Sequence, residues 1–173
     1  LILKKCKSFG GENSMNGRYL TLAGRIRRDL QDLEQVVQRC QMIWEQYIAS
    51  SNDQLLDAIA LNLHSFYTGL EHTLENIADT YDEFKPQGRS WHQELLLQMA
   101  SEIPTVRPPV ISNDLLSLLT PYRGFRHVVR NIYTFHLDPV QITPLVKNLF
   151  ITHQKFQAEL LQFSAFLEQT GVG

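Results

Sequence analysis

The feature that most constrains this chain is a long apolar row at helical spacing. Leu22, Ile26, Leu30, Leu33, Val37, Cys40 and Trp44 recur at steps of three and four, the period of one face of an α-helix and not of a strand. Arg25, Arg27, Arg28, Asp29, Asp32 and Glu34 fall between them and read as solvated faces. The spacing predicts a helix from Arg18 to about Ile48. A helix that is apolar on one side only must bury that side against other elements.

The partners follow in the sequence. Ser51 with Gln54 has the form of a capping box and opens a second helix. This helix carries Leu55, Leu56, Ile59, Leu63, Phe66, Leu70, Leu74, Ile77 and Tyr81 and ends before Pro86 and Gly88. Ser90 with Gln93 has the same form and opens a shorter helix through Leu95, Leu96 and Met99. The stretch from Pro104 to Ser112 holds three prolines and is predicted to be a loop. A fourth helix is expected from Asn113 to about Phe135, with Pro121 kinking or breaking it at Thr120. Asp138–Pro139 and Thr143–Pro144 each look like an N-cap followed by proline at the first helical position. The last helix is expected from near Pro144 to about Gln169, through Leu145, Leu149, Phe156, Leu160, Phe163 and Leu167. No strand pattern and no internal repeat occurs. The expected fold is all-α, an up-and-down bundle of four to five helices.

The first residues stand apart. Residues 1–16 contain Lys4, Lys5, Lys7, Gly10 and Gly11 with no apolar period, and they read as a flexible tail ahead of a helical domain over 17–170. Met15 reads as a natural start, with the leader a tail or an upstream extension. The net charge of −2 excludes a polycation, so any nucleic-acid contact must come from a local patch. Cys6 and Cys40 have no metal-ligand spacing and argue against a disulfide scaffold or zinc site. No apolar run has the length of a membrane span, and no segment reads as a signal peptide. The expectation is a soluble, cytoplasmic protein. Gly24, Gly69 and Gly124 interrupt helices and mark candidate close approaches.

One segment differs from ordinary bundle helix. In Pro121–Asp138, Phe125, Val128, Val129, Ile132 and Phe135 share one helical face. Arg123, Arg126, His127, Arg130 and Thr134 share the opposite stripe, with Tyr133 at its edge. Like charges three or four residues apart repel by a few tenths of a kcal/mol. Solvation or pairing with carboxylates on another helix relieves this, and so does a bound anion. Arginine offers bidentate donors that suit phosphate.

This segment and the order of helices resemble the HepT branch of the HEPN superfamily, small all-α ribonuclease toxins. That family carries an Arg, a polar residue, three further residues, then His, one residue and Tyr. Here Arg126 matches the Arg, His127 the polar position and Tyr133 the Tyr, while Asn131 stands where the family has His. The resemblance implies metal-independent cleavage of RNA in a homodimer, with the motif helices of two subunits forming a composite cleft and no cofactor required. Arg126 would hold the crowded phosphate, and Arg123 and Arg130 the RNA backbone. An amide does not titrate, so Asn131 can only orient a hydroxyl or a water. His127 or His136 would then act as base, or the protein has lost cleavage and kept only binding. The resemblance also implies a partner, a nucleotidyltransferase antitoxin of the MntA type, which transfers AMP to the motif tyrosine; Tyr133 is the matching acceptor.

Other candidates are weaker. His64, Tyr67 and Glu71 share a face of the second helix, where they could line a cleft opposite the arginines, with Glu71 pairing Arg126 or Arg130. As an alternative they form a boundary stripe with satisfied hydrogen bonds. His92 follows a cap and is expected at the surface, and His153 is isolated. Cys40 lies on an apolar stripe and reads as core. No metal-binding histidine pair, nucleophile elbow or phosphate loop is present.

Overall fold

The computed structural model describes residues 9–130 and 137–172, and side chains from Met15 onward except those of His127, Val128 and Arg130. Its elements are α1 (Phe9–Ser50), α2 (Gln54–Ile77), α3 (Trp91–Ala100), α4 (Asn113–Arg130) and α5 (Pro139–Val172). Among the described residues there is no strand, only an isolated bridge between Ile103 and Arg107. The expected all-α bundle is what forms.

The apolar row of α1 does what its spacing predicts. Leu22, Ile26, Leu30, Leu33, Val37 and Cys40 are all buried. They pack mainly against α5 and α2, the two other long helices. Each fully buried Leu, Ile or Phe contributes about 1.5–3 kcal/mol, so this row is what holds the long helix to the bundle. Burial pushes the Cys40 thiol up to about 12, which leaves it an inert core residue. At Gly69 a Cβ would come within 3.0 Å of Leu33 Cδ2, so this glycine is a close approach of α2 to α1. A Cβ at Gly24 or Gly124 would meet nothing within 4 Å.

Several helix boundaries differ from the sequence expectation. Helix α1 begins at Phe9, within the stretch whose composition suggested a tail. It closes at Ser51, which adopts a left-handed φ of 52° and donates its N–H to Tyr47 O at 2.8 Å. That conformation takes Ser51 out of the expected capping box; Asn52 Oδ1 instead accepts from Gln54 N at 3.1 Å. Ser90 does sit at the N-cap of α3, but its side chain makes no capping bond. The second helix ends in a wider π turn over Ala78–Asp82.

Pro121 does not break α4, which runs through it to Arg130. The helix is anchored upstream, where Ser112 Oγ accepts from Leu115 N at 3.1 Å and donates to Glu159 Oε1 at 2.7 Å. Helix α5 starts earlier than expected. Asp138 Oδ1 accepts from Val140 N at 2.8 Å, Pro139 takes the first helical position, and Pro144 lies inside the helix. No described helix is long and apolar enough to cross a membrane.

Candidate functional site

Helix α4 packs against α5, α2 and α3. Tyr122 and Phe125 enter the core, and Tyr122 Oη donates to Leu145 O of α5 at 2.8 Å. With that face pinned, Arg123 and Arg126 turn toward α2, and Arg126 reaches α3. The helical wheel therefore assigned the apolar and basic faces correctly where the residues are described.

Arg126 meets two groups that lie far from it in sequence. Its Nε is 3.9 Å from Glu71 Oε2, beyond hydrogen-bonding reach. Its Nη1 lies against the His92 ring, 3.4 Å from Nδ1 and closer to Nε2. His92 Nδ1 is in turn 2.6 Å from Glu71 Oε1. The side chains of Glu71, His92 and Arg126 are 4%, 13% and 16% exposed, so the cluster opens toward solvent from the carboxylate outward. The Trp91 ring lies against that of His92, tilted by 36° with centroids 3.6 Å apart.

The electrostatics follow from this gradient. Burial raises the Glu71 carboxyl to about 7, against the pull of the Arg126 charge. The Tyr67 hydroxyl, one turn earlier on α2, is pushed up by burial and by Glu71, while Arg123 and Arg126 draw it back. Arg126 Nε is buried without a hydrogen-bond partner. The unused Arg126 donor is itself closed off from solvent and faces Glu71, so a further acceptor reaches it only if one of these side chains shifts. His92 thus lies between a group that can only donate, the Arg126 guanidinium, and the Glu71 carboxyl group.

The expected residues fall into three groups. Arg126 and Arg123 lie on one face of α4, and Arg126 faces the buried Glu71 that shares a face with Tyr67, one of the alternatives that the sequence left open for that row. His127 and Arg130 belong to α4, but their side chains lie outside the described residues, as do Asn131, Tyr133 and His136 altogether. His92 is a correction. It is not a surface residue, because α3 lays its first turn across α2 and α4. His153, read from the sequence as isolated, is buried beside Phe66 with its basicity lowered by burial.

One residue escaped the sequence reading. Arg107, in the proline loop, is wholly buried and pairs bidentately with Asp82, Nε to Oδ1 at 2.6 Å and Nη2 to Oδ2 at 2.7 Å. Its remaining N–H groups reach the carbonyls of Ser101, Pro108 and Gln98 at 3.0–3.1 Å. Gln98 Nε2 donates to the same carboxylate at 2.6 Å. The signal for this clamp was faint: an arginine between prolines, where a chain with few backbone donors needs another source of them.

Comparison with curated proteins and with solved structures finds no match. The model of the HepT-like protein family matches residues 58–167 of the 173, a span that contains Tyr67, Glu71, His92, Arg123 and Arg126. With more than half of the chain matched, including all of α3 and α4, the chain belongs to the HepT-like protein family.

Proposed function

We propose that this HepT-like protein is the toxin component of a toxin–antitoxin pair, a metal-independent endoribonuclease that acts as a homodimer in the cytoplasm. Its antitoxin is a nucleotidyltransferase that silences it by transferring AMP to Tyr133. The observation that carries this reading is the state of Arg126. Its guanidinium is half-buried beside Glu71 and His92 and keeps a buried N–H without an acceptor. A preorganised cation of this kind suits the charge that builds on a phosphate during transfer. Arg123 lies one turn away on the same face and supplies a second positive group for the RNA backbone.

A second reading is a helical dimer that binds its partner protein, a nucleotide or RNA without cleaving it. Asn131 at the motif position favours it, since an amide cannot take the proton from a ribose hydroxyl. The two readings separate on purified protein incubated with single-stranded RNA in the presence of a chelator. Cleavage that Arg126→Ala reduces by about 100-fold or more supports the nuclease. Intact RNA that is still retained by the wild type, with affinity falling as salt rises, supports the binder.

A further inference from the structure

Arg126 is a cation that this chain partly keeps for itself. Its side chain is 16% exposed, while its Nε is closed off from solvent and faces Glu71, 3.9 Å from Oε2. At that separation the two groups attract as charges and share no hydrogen bond. An anion arriving on a ligand therefore competes with an anion of the protein for one guanidinium. We propose that Glu71 is this internal competitor, and that a phosphate gains Arg126 by displacing it, with uptake of a proton on the Glu71 carboxyl group. The inference rests on the reading of Arg126 as a phosphate-binding group.

The surroundings of the carboxyl group set up the exchange. The Glu71 side chain is 4% exposed, so water does little to stabilise its charge. Burial is the largest influence on it and favours the neutral form, with a smaller push from Glu75 on the same helix. Glu75 in turn pairs with Lys85 at 3.0 Å, beyond the π turn. Arg126 from α4 is the main force the other way, followed by the Tyr67 hydroxyl, and the balance holds the group at about 7. Arg123 bears on Tyr67, a hydroxyl that burial and Glu71 push up and the two arginines draw back. From α3 comes His92, whose Nδ1 is 2.6 Å from Glu71 Oε1. An ionised carboxyl group accepts only and a protonated one also donates, so it has a hydrogen bond to offer the ring nitrogen in either state.

A phosphate set against Arg126 neutralises the charge that keeps Glu71 ionised, and turning the guanidinium toward the ligand removes it. The Glu71 carboxyl group then moves above about 7 and takes a proton from solvent at neutral pH. Above about pH 7 the free protein carries Glu71 ionised, and binding has to bring the proton in. Below that pH the proton is already in place. Binding therefore weakens as pH rises through this interval, although a phosphodiester does not titrate there.

The test measures binding of the full chain to a single-stranded RNA whose riboses are 2′-O-methylated, which blocks cleavage through the ribose. Titration calorimetry at about pH 7.5 in two buffers of different ionisation enthalpy is expected to show net proton uptake by the wild type and none by Glu71→Gln. Relative to that variant, the wild-type dissociation constant is expected to rise about fivefold to tenfold from about pH 6.5 to about pH 8. At the upper pH Glu71→Gln is expected to bind about tenfold more tightly than the wild type, the opposite of what losing a scaffold side chain gives. Arg126→Ala is expected to bind more weakly and to take up no proton. A wild type that binds without proton uptake, or a Glu71→Gln chain that binds more weakly than the wild type with circular dichroism unchanged, overturns the role of Glu71 and leaves phosphate binding standing. Uptake that survives Glu71→Gln and is lost in His92→Asn also overturns it, by placing the proton on the ring. A wild type that holds no RNA at any pH overturns both.

Discussion

Arg107 and Arg126 each sit beside a buried carboxylate, yet they are held in opposite ways. Arg107 spends every N–H on a fixed acceptor, two on Asp82 and the rest on backbone carbonyls. Arg126 faces Glu71 at 3.9 Å, leans on an imidazole, and keeps its Nε without an acceptor. The first is a saturated clamp that ties the loop before α4 to the end of α2. The second is a cation held in place electrostatically with hydrogen-bonding capacity in reserve. Saturation suits a structural joint, because any loosened donor would be buried without a partner. Reserve suits a site, because a small shift of the side chain then offers an anion a donor that holds no other hydrogen bond.

The sharpest way to break this contrast is to remove each arginine. Arg107→Ala strands Asp82 as an unpaired buried charge and is expected to cost about 3–5 kcal/mol in denaturant unfolding. Arg126→Ala is expected to cost only about 1 kcal/mol, since Glu71 is poised to take up a proton once the cation is gone. Equal losses would make Arg126 a second clamp.

A smaller effect concerns Glu71 itself. Its carboxyl is raised in the folded chain from 4.5 to about 7. The folded state thus binds the proton more tightly, and Glu71 contributes a loss of stability as pH rises through that interval. Glu71→Gln has no such loss. The stability of the variant relative to wild type is expected to increase from about pH 5 to about pH 8, as followed by thermal melts. A difference that stays constant, or shrinks, would mean that Arg126 already holds Glu71 ionised throughout.

The smallest effect sets the baseline. Arg27 pairs with Glu168 across α1 and α5, with both side chains about two-fifths exposed. Exposed pairs are screened by water and salt. Arg27→Ala is expected to leave the unfolding midpoint unchanged within error. A measurable drop would show that contact with a carboxylate alone, without burial, is enough to make an arginine structural here.

Much of the bundle was legible because helical burial is periodic. The row from Leu22 to Cys40 and the run from Leu56 to Ile77 announce both the helices and the faces they bury. Arg126 stood out as part of a like-charged stripe, and Glu71 as a carboxylate on a polar row with Tyr67. Boundaries were less legible. Proline 121 is carried within α4, and Ser51 abandons a cap for a left-handed turn, because tertiary packing outweighs local preferences worth about 1 kcal/mol. His92 was not legible as a site residue. It lies 21 residues from Glu71 and 34 from Arg126, and no local pattern joins them.

The order and polarity of residues determined, without any coordinates, that this chain would bury apolar stripes of long helices and carry arginines on one face of a late helix. Periodicity along a helix is a local property, and each residue's face follows from its neighbours three and four positions away. Only the packing of α3 across α2 and α4 decided that one arginine would meet a carboxylate and an imidazole while another would be locked in a loop. Burial and the distance between groups set the strength of every charge interaction, and both come into being only when distant parts of the chain meet.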